Sequence, residues 1–169
     1  MDKRILIFFG KTGAGKNFVA KLFAREFDYD WYDADIDLTP EMIYAIKHHL
    51  EFTVEMRGQY FEVVERRVKD LLRVAEKIVI TQGLFKNINR HDLMKIFPLA
   101  KWIWVDAATS IIEARVCKRN NLVTPEYARQ INEYFETPDF ICYKILNNQS
   151  EAEILAQALW IEREWRERR

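Results

Sequence analysis

Gly10-Lys11-Thr12-Gly13-Ala14-Gly15-Lys16-Asn17 decides how this chain is read. All but the last residue fit the phosphate-binding loop pattern G-x-x-x-x-G-K-[S/T]. The pattern has a mechanical basis. Its glycines permit positive φ and close backbone approach. Successive N–H groups then converge on phosphate oxygens, helped by the positive end of the helix that follows. Lys16 would reach the β- and γ-phosphates and neutralise charge during transfer. Gly10 through Asn17 are therefore expected to hold ATP, with Lys16 catalytic. A ligand-free strand-to-helix turn is the competing reading, and the flanks oppose it. Ile5–Phe9 is a continuous apolar run, as in a strand buried on both faces. From Asn17 to Phe27, apolar residues recur at four-residue spacing, as in a helix. Asn17 replaces the hydroxyl that normally meets Mg2+. Its carbonyl oxygen is a hard ligand, its N–H2 group can contact phosphate, and asparagine is also a good helix cap. Two outcomes stay open: a working loop with an adjusted metal ligand, or a loop that binds nucleotide and turns over poorly.

Bulk properties narrow the class. A chain of 169 residues suggests a single domain spanning 1–169. Lys plus Arg equals Asp plus Glu, 26 each, so no global field attracts nucleic acid or an acidic membrane, and neither is expected as a partner. Cys117 and Cys142 lie far apart with no zinc spacing, which predicts reduced, mostly buried thiols. The opening MDKRILIFFGKTG has too short an apolar run for a signal peptide. No run approaches the roughly 20 apolar residues of a membrane span. The expectation is a cytoplasmic protein.

Strands and helices alternate along the chain. A short strand at Trp31-Tyr32 leads into Asp33-Ala34-Asp35-Ile36-Asp37; Thr39-Pro40-Glu41 opens a helix; and a longer helix is predicted from about Gly58 to Ala75. Strands are predicted at Lys77–Thr81, Lys101–Asp106 and Phe140–Leu146. Capping boxes at Ser110–Glu113 and Ser150–Glu153 open two further helices, and Thr124-Pro125-Glu126 opens another. No hairpin signal joins two strands, so the class is α/β with a parallel sheet covered on both faces. Ligands in such folds bind at the carboxyl ends of the strands.

Residues two apart on an extended segment share a face, so Asp33 and Asp35 are expected to converge. Asp33, with Asn17, would serve magnesium. Asp35 would accept the proton of an attacking hydroxyl or anchor the acceptor. Asp37 reads as a backbone cap near Thr39-Pro40. Arg57, Gln82 and Gly83 are candidate acceptor contacts. Arg115 and Arg119 are candidates for a lid charge that closes over the transferring group. His48-His49 reads as surface, and Tyr44, Phe52, Tyr60 and Phe61 as possible walls of an acceptor pocket.

These residues resemble the small P-loop kinases: shikimate kinase, gluconate kinase, dephospho-coenzyme A kinase and the nucleoside monophosphate kinases. Tyr32-Asp33-Ala34-Asp35 resembles the Asp-x-Asp of shikimate kinases, whose first carboxylate serves magnesium and whose second serves substrate. Arg57–Glu65 resembles their G-E-x-x-F-R-x-x-E segment, and Ile78–Gly83 stands where they carry a strand ending in three glycines. Glu62 occupies the place of their substrate-binding arginine, and Gln82-Gly83-Leu84 keeps one glycine of three, so shikimate itself is not the expected substrate. Gly83-Leu84-Phe85-Lys86, with Arg90 and Leu93, is similar to gluconate kinases. Arg119–Leu122 and Asn147 are faintly similar to dephospho-coenzyme A kinase. The resemblance implies a three-layer P-loop NTPase fold with a five-stranded parallel sheet in the order 2-3-1-4-5. It also implies an acceptor region at about 36–75 and a lid at about 115–128. The implied activity is ATP- and Mg2+-dependent phosphorylation of a hydroxyl on a small metabolite. A nucleotide or nucleoside kinase is the alternative, and a nucleotide-binding regulatory module with little catalysis is the rival of another class.

Overall fold

Strand β1 (Arg4–Phe9) lies at the centre of the sheet, flanked by β3 (Lys77–Thr81) and β4 (Lys101–Asp106). In this computed structural model, which describes residues 3–118, 123–148 and 150–167, β2 (Asp30–Asp33) and β5 (Tyr143–Leu146) form the edges. The order is β2-β3-β1-β4-β5 and every pairing is parallel, as expected. Alternation along β1 divides the core. Leu6 and Phe8 face α1 (Lys16–Phe27), α5 (Thr109–Cys117) and α7 (Glu151–Glu167). Ile7 and Phe9 face α2 (Pro40–Lys47), α3 (Val54–Val74) and α4 (Asn87–Ile96). Both sets are fully buried, which is why the strand reads as an unbroken apolar run.

The remaining helix, α6 (Pro125–Glu133), starts from the predicted Thr124 cap, whose side chain accepts from the Tyr127 N–H. Thr39 caps α2 in the same way through Met42. The Ser150–Glu153 box is reciprocal: Ser150 N donates to Glu153 Oε2 at 2.9 Å and Glu153 N to Ser150 Oγ at 3.4 Å.

Several boundaries differ from the sequence reading. α3 begins at Val54 because Thr53 supplies its cap to Met56; Gly58 is an exposed interior position of the helix. α5 begins at Thr109 behind Ala108, with no side-chain cap, so Ser110 is not its capping residue; the Ala108 N–H donates instead to Asn148 Oδ1. β5 is shorter than expected because Phe140 leaves the ladder to pack edge-on against Trp102. α4 escaped notice because it buries Asn89 and Arg90 beside Leu93 and so carries no apolar stripe. Both cysteines are free thiols, yet Cys117 is exposed and Cys142 only half-buried, at the margin of the core that holds Ile7 and Phe9. Among the described residues no helix is long and apolar enough to cross a membrane.

Candidate active site

The phosphate loop is built backwards from the sheet. Gly10 has φ 152°, and a Cβ there would strike the Val105 carbonyl of β4. Gly15 has φ 87°, and its Cβ would strike the Asn147 side-chain amide. Asn147, buried after β5, donates from Nδ2 to the Ala14 carbonyl at 2.8 Å. Arg115 on α5 donates to the same carbonyl at 3.3 Å and to the Asn147 carbonyl at 2.8 Å. Arg115 thus supports a loop carbonyl and is absent from the lining of the cavity beside Asp35. Lys16 folds back and donates to the Lys11 carbonyl at 3.0 Å. On the acceptor side Asn132 of α6 pairs with both peptide groups of Thr12, accepting from its N–H and donating to its C=O, each at 2.9 Å.

Asn17 and Asp33 do meet. Asn17 Nδ2 donates to Asp33 Oδ2 at 2.6 Å. The other oxygen of Asp33 accepts from the Asp35 N–H at 3.1 Å. Asp33 and Asp35 therefore converge through a cap: the chain leaves β2 at Asp33 and turns into a 3-10 segment, Ala34–Asp37, so the expected shared strand face is absent. Asp37 does not cap the backbone after Thr39-Pro40. It accepts two bonds from Arg67 at 3.0 Å and one from Tyr32 Oη at 2.8 Å, pinning the turn to α3. Those bonds hold its carboxyl below the usual range.

Asp35 opens onto a cavity of about 370 Å³. It is solvent-accessible through that cavity, yet the surrounding walls desolvate it, and the nearby Asp33 charge adds to the effect. Together they push its carboxyl up to about 6 against the pull of Lys16. Thr12 and Lys16 of the phosphate loop line the same cavity, as do Arg57, Gln82 and Gly83. The walls are largely apolar: Met42 and Ile46 of α2, Phe52, Tyr60 and Phe61, then Leu84 and Phe85 after β3. Tyr60 turns its hydroxyl away, donating to the Ala34 carbonyl at 2.8 Å, and presents its ring. Gln82 Oε1 is buried with no hydrogen-bond partner among the described residues. Arg57 is half-buried, and its guanidinium, 5.4 Å from the Phe52 ring, makes no hydrogen bond or ion pair among the described residues.

Val123, Tyr127, Gln130, Ile131 and Tyr134, on α6 and its flanks, line another side of the cavity. Arg119 lies outside the described residues. Both His48 and His49 are exposed, as expected, but His49 also has φ 56°, lines the cavity and stacks on Tyr127 at 4.7 Å and 8°. Tyr44 is no wall; it is exposed and stacks on His48. Arg90 was visible only as a family likeness. It is fully buried between the rings of Phe9 and Phe135 and donates to the carbonyls of Leu84, Phe85 and Glu136, fixing one wall of the cavity. Burial pushes its guanidinium down to about 10. Asn132 carried no sequence signal at all.

No protein-family model matches the chain. A shikimate kinase of Alkaliphilus oremlandii (strain OhILAs) is 26% identical over 121 residues, 71% of this chain and 69% of that one. A shikimate kinase of Rhizobium meliloti (strain 1021) is 28% identical over 121 residues, 71% of this chain and 61% of that one. In fold the chain is similar to a sugar kinase from Janibacter sp. HTCC2649, with TM-score 0.80, 20% identity and 95% of each chain covered. It is also similar to a gluconokinase from Sinorhizobium meliloti 1021, with TM-score 0.75, 21% identity, and 94% and 90% covered. Sheet order, phosphate loop and these relatives place the chain in the superfamily of P-loop small-molecule kinases. Within that class the curated relatives indicate a phosphotransferase.

Proposed function

We propose that the chain transfers the γ-phosphate of Mg-ATP to a hydroxyl of a small hydroxy acid seated in the cavity beside Asp35. One observation carries the reading: Asp35 shares that cavity with Thr12 and Lys16, so a proton acceptor and the phosphate-handling lysine face one space. The acceptor hydroxyl gives its proton to the Asp35 carboxylate while its oxygen bonds to the γ-phosphorus. The bond from that phosphorus to the β–γ bridging oxygen breaks, and ADP leaves. Lys16 and the loop amides carry the charge that moves with the phosphoryl group. Arg119 supplies a closing charge in this reading, while Arg115 positions the loop.

Asn17 Oδ1 and Asp33 form an all-oxygen donor set suited to a magnesium ion that keeps several waters and takes its other ligands from phosphate. That ion would neutralise the β- and γ-phosphate oxygens. The chain's own contribution is to orient these donors through the Asn17–Asp33 hydrogen bond.

The acceptor's chemistry follows from the walls. Arg57 is a partly desolvated cation, and burial pulls its pKa down while Glu51 opposes the shift. Such a group favours an anionic substituent. Glu62 is exposed and lines no part of the cavity, so Arg57 takes over the anion-reading task that shikimate kinases give to an arginine at the Glu62 place. A nucleoside acceptor is the second reading, favoured by the aromatic faces of Phe52, Tyr60, Phe61 and Phe85.

The test is an ADP-release assay over hydroxy acids, sugar acids and nucleosides, run on wild type and Asp35→Asn. The expected outcome is turnover with a hydroxy acid and a loss of at least about a hundredfold in kcat for Asp35→Asn, with ATP binding little changed. A base must be ionised, so wild-type kcat should fall as pH drops through about 6, and that limb should vanish in the variant. The stability sign is opposite. A carboxyl whose native pKa lies above its unfolded value destabilises the fold once ionised, so Asp35→Asn should keep or raise Tm at pH 7. Unchanged turnover in Asp35→Asn would remove Asp35 from the chemistry.

A further inference from the structure

We propose that Asn132 is a positioning residue that makes the phosphate loop's grip on nucleotide depend on α6 being docked over the acceptor cavity. The inference rests on the kinase reading above and adds a coupling between its two substrate sites.

The clamp engages both backbone hydrogen-bonding groups of Thr12, which belong to the two peptide units flanking its Cα. Thr12 N–H donates to Asn132 Oδ1, and Asn132 Nδ2 donates to Thr12 C=O, both at 2.9 Å. Only a carboxamide offers a donor and an acceptor in that arrangement; an aspartate cannot donate and an alanine does neither. The electrostatic consequence falls on the nucleotide. Loop amides attract phosphate, and a loop carbonyl turned toward the anion repels it. With Thr12 C=O held by Asn132, that carbonyl is committed to α6. Ala14 C=O is held likewise by Asn147 and Arg115 on the other flank. The loop thus has two carbonyl tethers, one from the sheet side and one from α6.

The tethers differ in what holds them. Asn147 is a buried residue at the end of β5, fixed by its own N–H to the Asp106 carbonyl. Asn132 rides on α6, whose place depends on contacts around the cavity. Near its start, Tyr127 stacks on His49 and donates to the Leu50 carbonyl at 3.4 Å, both on the acceptor rim. Past its end, Glu136 N donates to the Phe85 carbonyl at 2.9 Å, and Arg90 holds the Glu136 carbonyl at 2.8 Å. Tyr127 and Asn132 are five residues apart on one helix, about 7.5 Å along its axis. A helix of that length transmits displacement as a rigid rod. Loosening its docking at His49 therefore loosens the Thr12 clamp, and tightening it by an acceptor in the cavity secures the clamp.

The experiment is calorimetric titration with Mg-AMPPNP. It compares wild type, Asn132→Ala, Asn132→Asp, His49→Ala and the His49→Ala/Asn132→Ala double variant, with thermal unfolding of each as a check on folding. Losing two net hydrogen bonds predicts about tenfold weaker binding for Asn132→Ala. Asn132→Asp, nearly isosteric, should bind at least as weakly, because it sets a carboxylate against the Thr12 carbonyl and near the phosphates. This variant carries the test if the alanine variant fails to fold. His49→Ala should weaken binding severalfold in the wild-type background and not at all in the Asn132→Ala background. A purely structural Asn132 would not produce that dependence. Unchanged affinity in folded Asn132 variants overturns the inference, and so does a His49 effect that simply adds. Wild type that does not bind Mg-AMPPNP overturns the kinase reading itself, a result distinguishable from either.

Discussion

The phosphate loop and the acceptor cavity meet at Thr12, Lys16 and Asp35, and they are encoded in opposite ways. The loop is one run of eight residues whose function lies in backbone groups, so its spelling is constrained at each position by φ and by what lies behind it. The cavity is assembled from residues 35–61, 82–89 and 123–134, and its function lies in side chains. A backbone site is strict about glycine and indifferent to most neighbours. A side-chain site tolerates exchange at each wall and so leaves no single signature. Glycines on the two sides should therefore respond to the same substitution with opposite signs.

Gly15→Ala should give the largest effect. The left-handed conformation costs a non-glycine residue about 1–2 kcal/mol. The new Cβ must also displace the buried Asn147 amide that holds Ala14 C=O. Mg-ATP affinity should fall about tenfold, and Tm should fall with it. Calorimetry and thermal unfolding read both. An unaltered affinity would mean that the loop is not held by Asn147 as described, and the contrast with the cavity would lose its basis.

The one irregular letter of the loop tests the comparison from the other side, because Asn17 is where a side chain enters a backbone motif. Its N–H2 group is committed to Asp33, and in the proposed reading its carbonyl oxygen would face the metal. A threonine hydroxyl is shorter and sits closer to an octahedral ion. Asn17→Thr should raise the ratio of Mg-ATP to metal-free ATP affinity by about fivefold, the equivalent of about 1 kcal/mol. Titrations with and without magnesium give the ratio. A ratio that falls would show asparagine to be the better ligand here, so that its presence is an adaptation.

What the sequence made legible follows the same division. Caps at Thr39 and Thr124, the buried strand Ile5–Phe9 and the glycine loop are local, each decided within a few residues, and all stand in the structure. Asn132 acts on a peptide 120 positions away, and nothing in the pattern of α6 distinguishes it from a solvated asparagine. His49 depends on a positive φ after α2 that points its ring at Tyr127. Arg90 inverts the usual expectation that arginine is exposed: its charge is buried because two aromatic faces and three carbonyls receive it. Even the correct pairing of Asp33 with Asp35 had the wrong cause, since a 3-10 turn and a cap bring them together.

The smallest effect is expected at Gly58, and its sign matters more than its size. Gly58 lies inside α3, one residue after Arg57, and a Cβ there meets nothing within 4 Å. Its φ is not in the left-handed region, so alanine adopts the same backbone and only reduces the freedom of the unfolded chain. Gly58→Ala should therefore stabilise the protein by about 0.5–1 kcal/mol, read as a higher denaturant midpoint with an unchanged slope. The acceptor's KM should not move, because the added methyl group points to solvent and not into the cavity. If Gly58→Ala instead lowers stability or raises KM, α3 needs freedom at that point to bring Arg57 into the cavity. The acceptor wall would then depend on a glycine as the phosphate loop does, and the division between a backbone site and a side-chain site would fail at its clearest place.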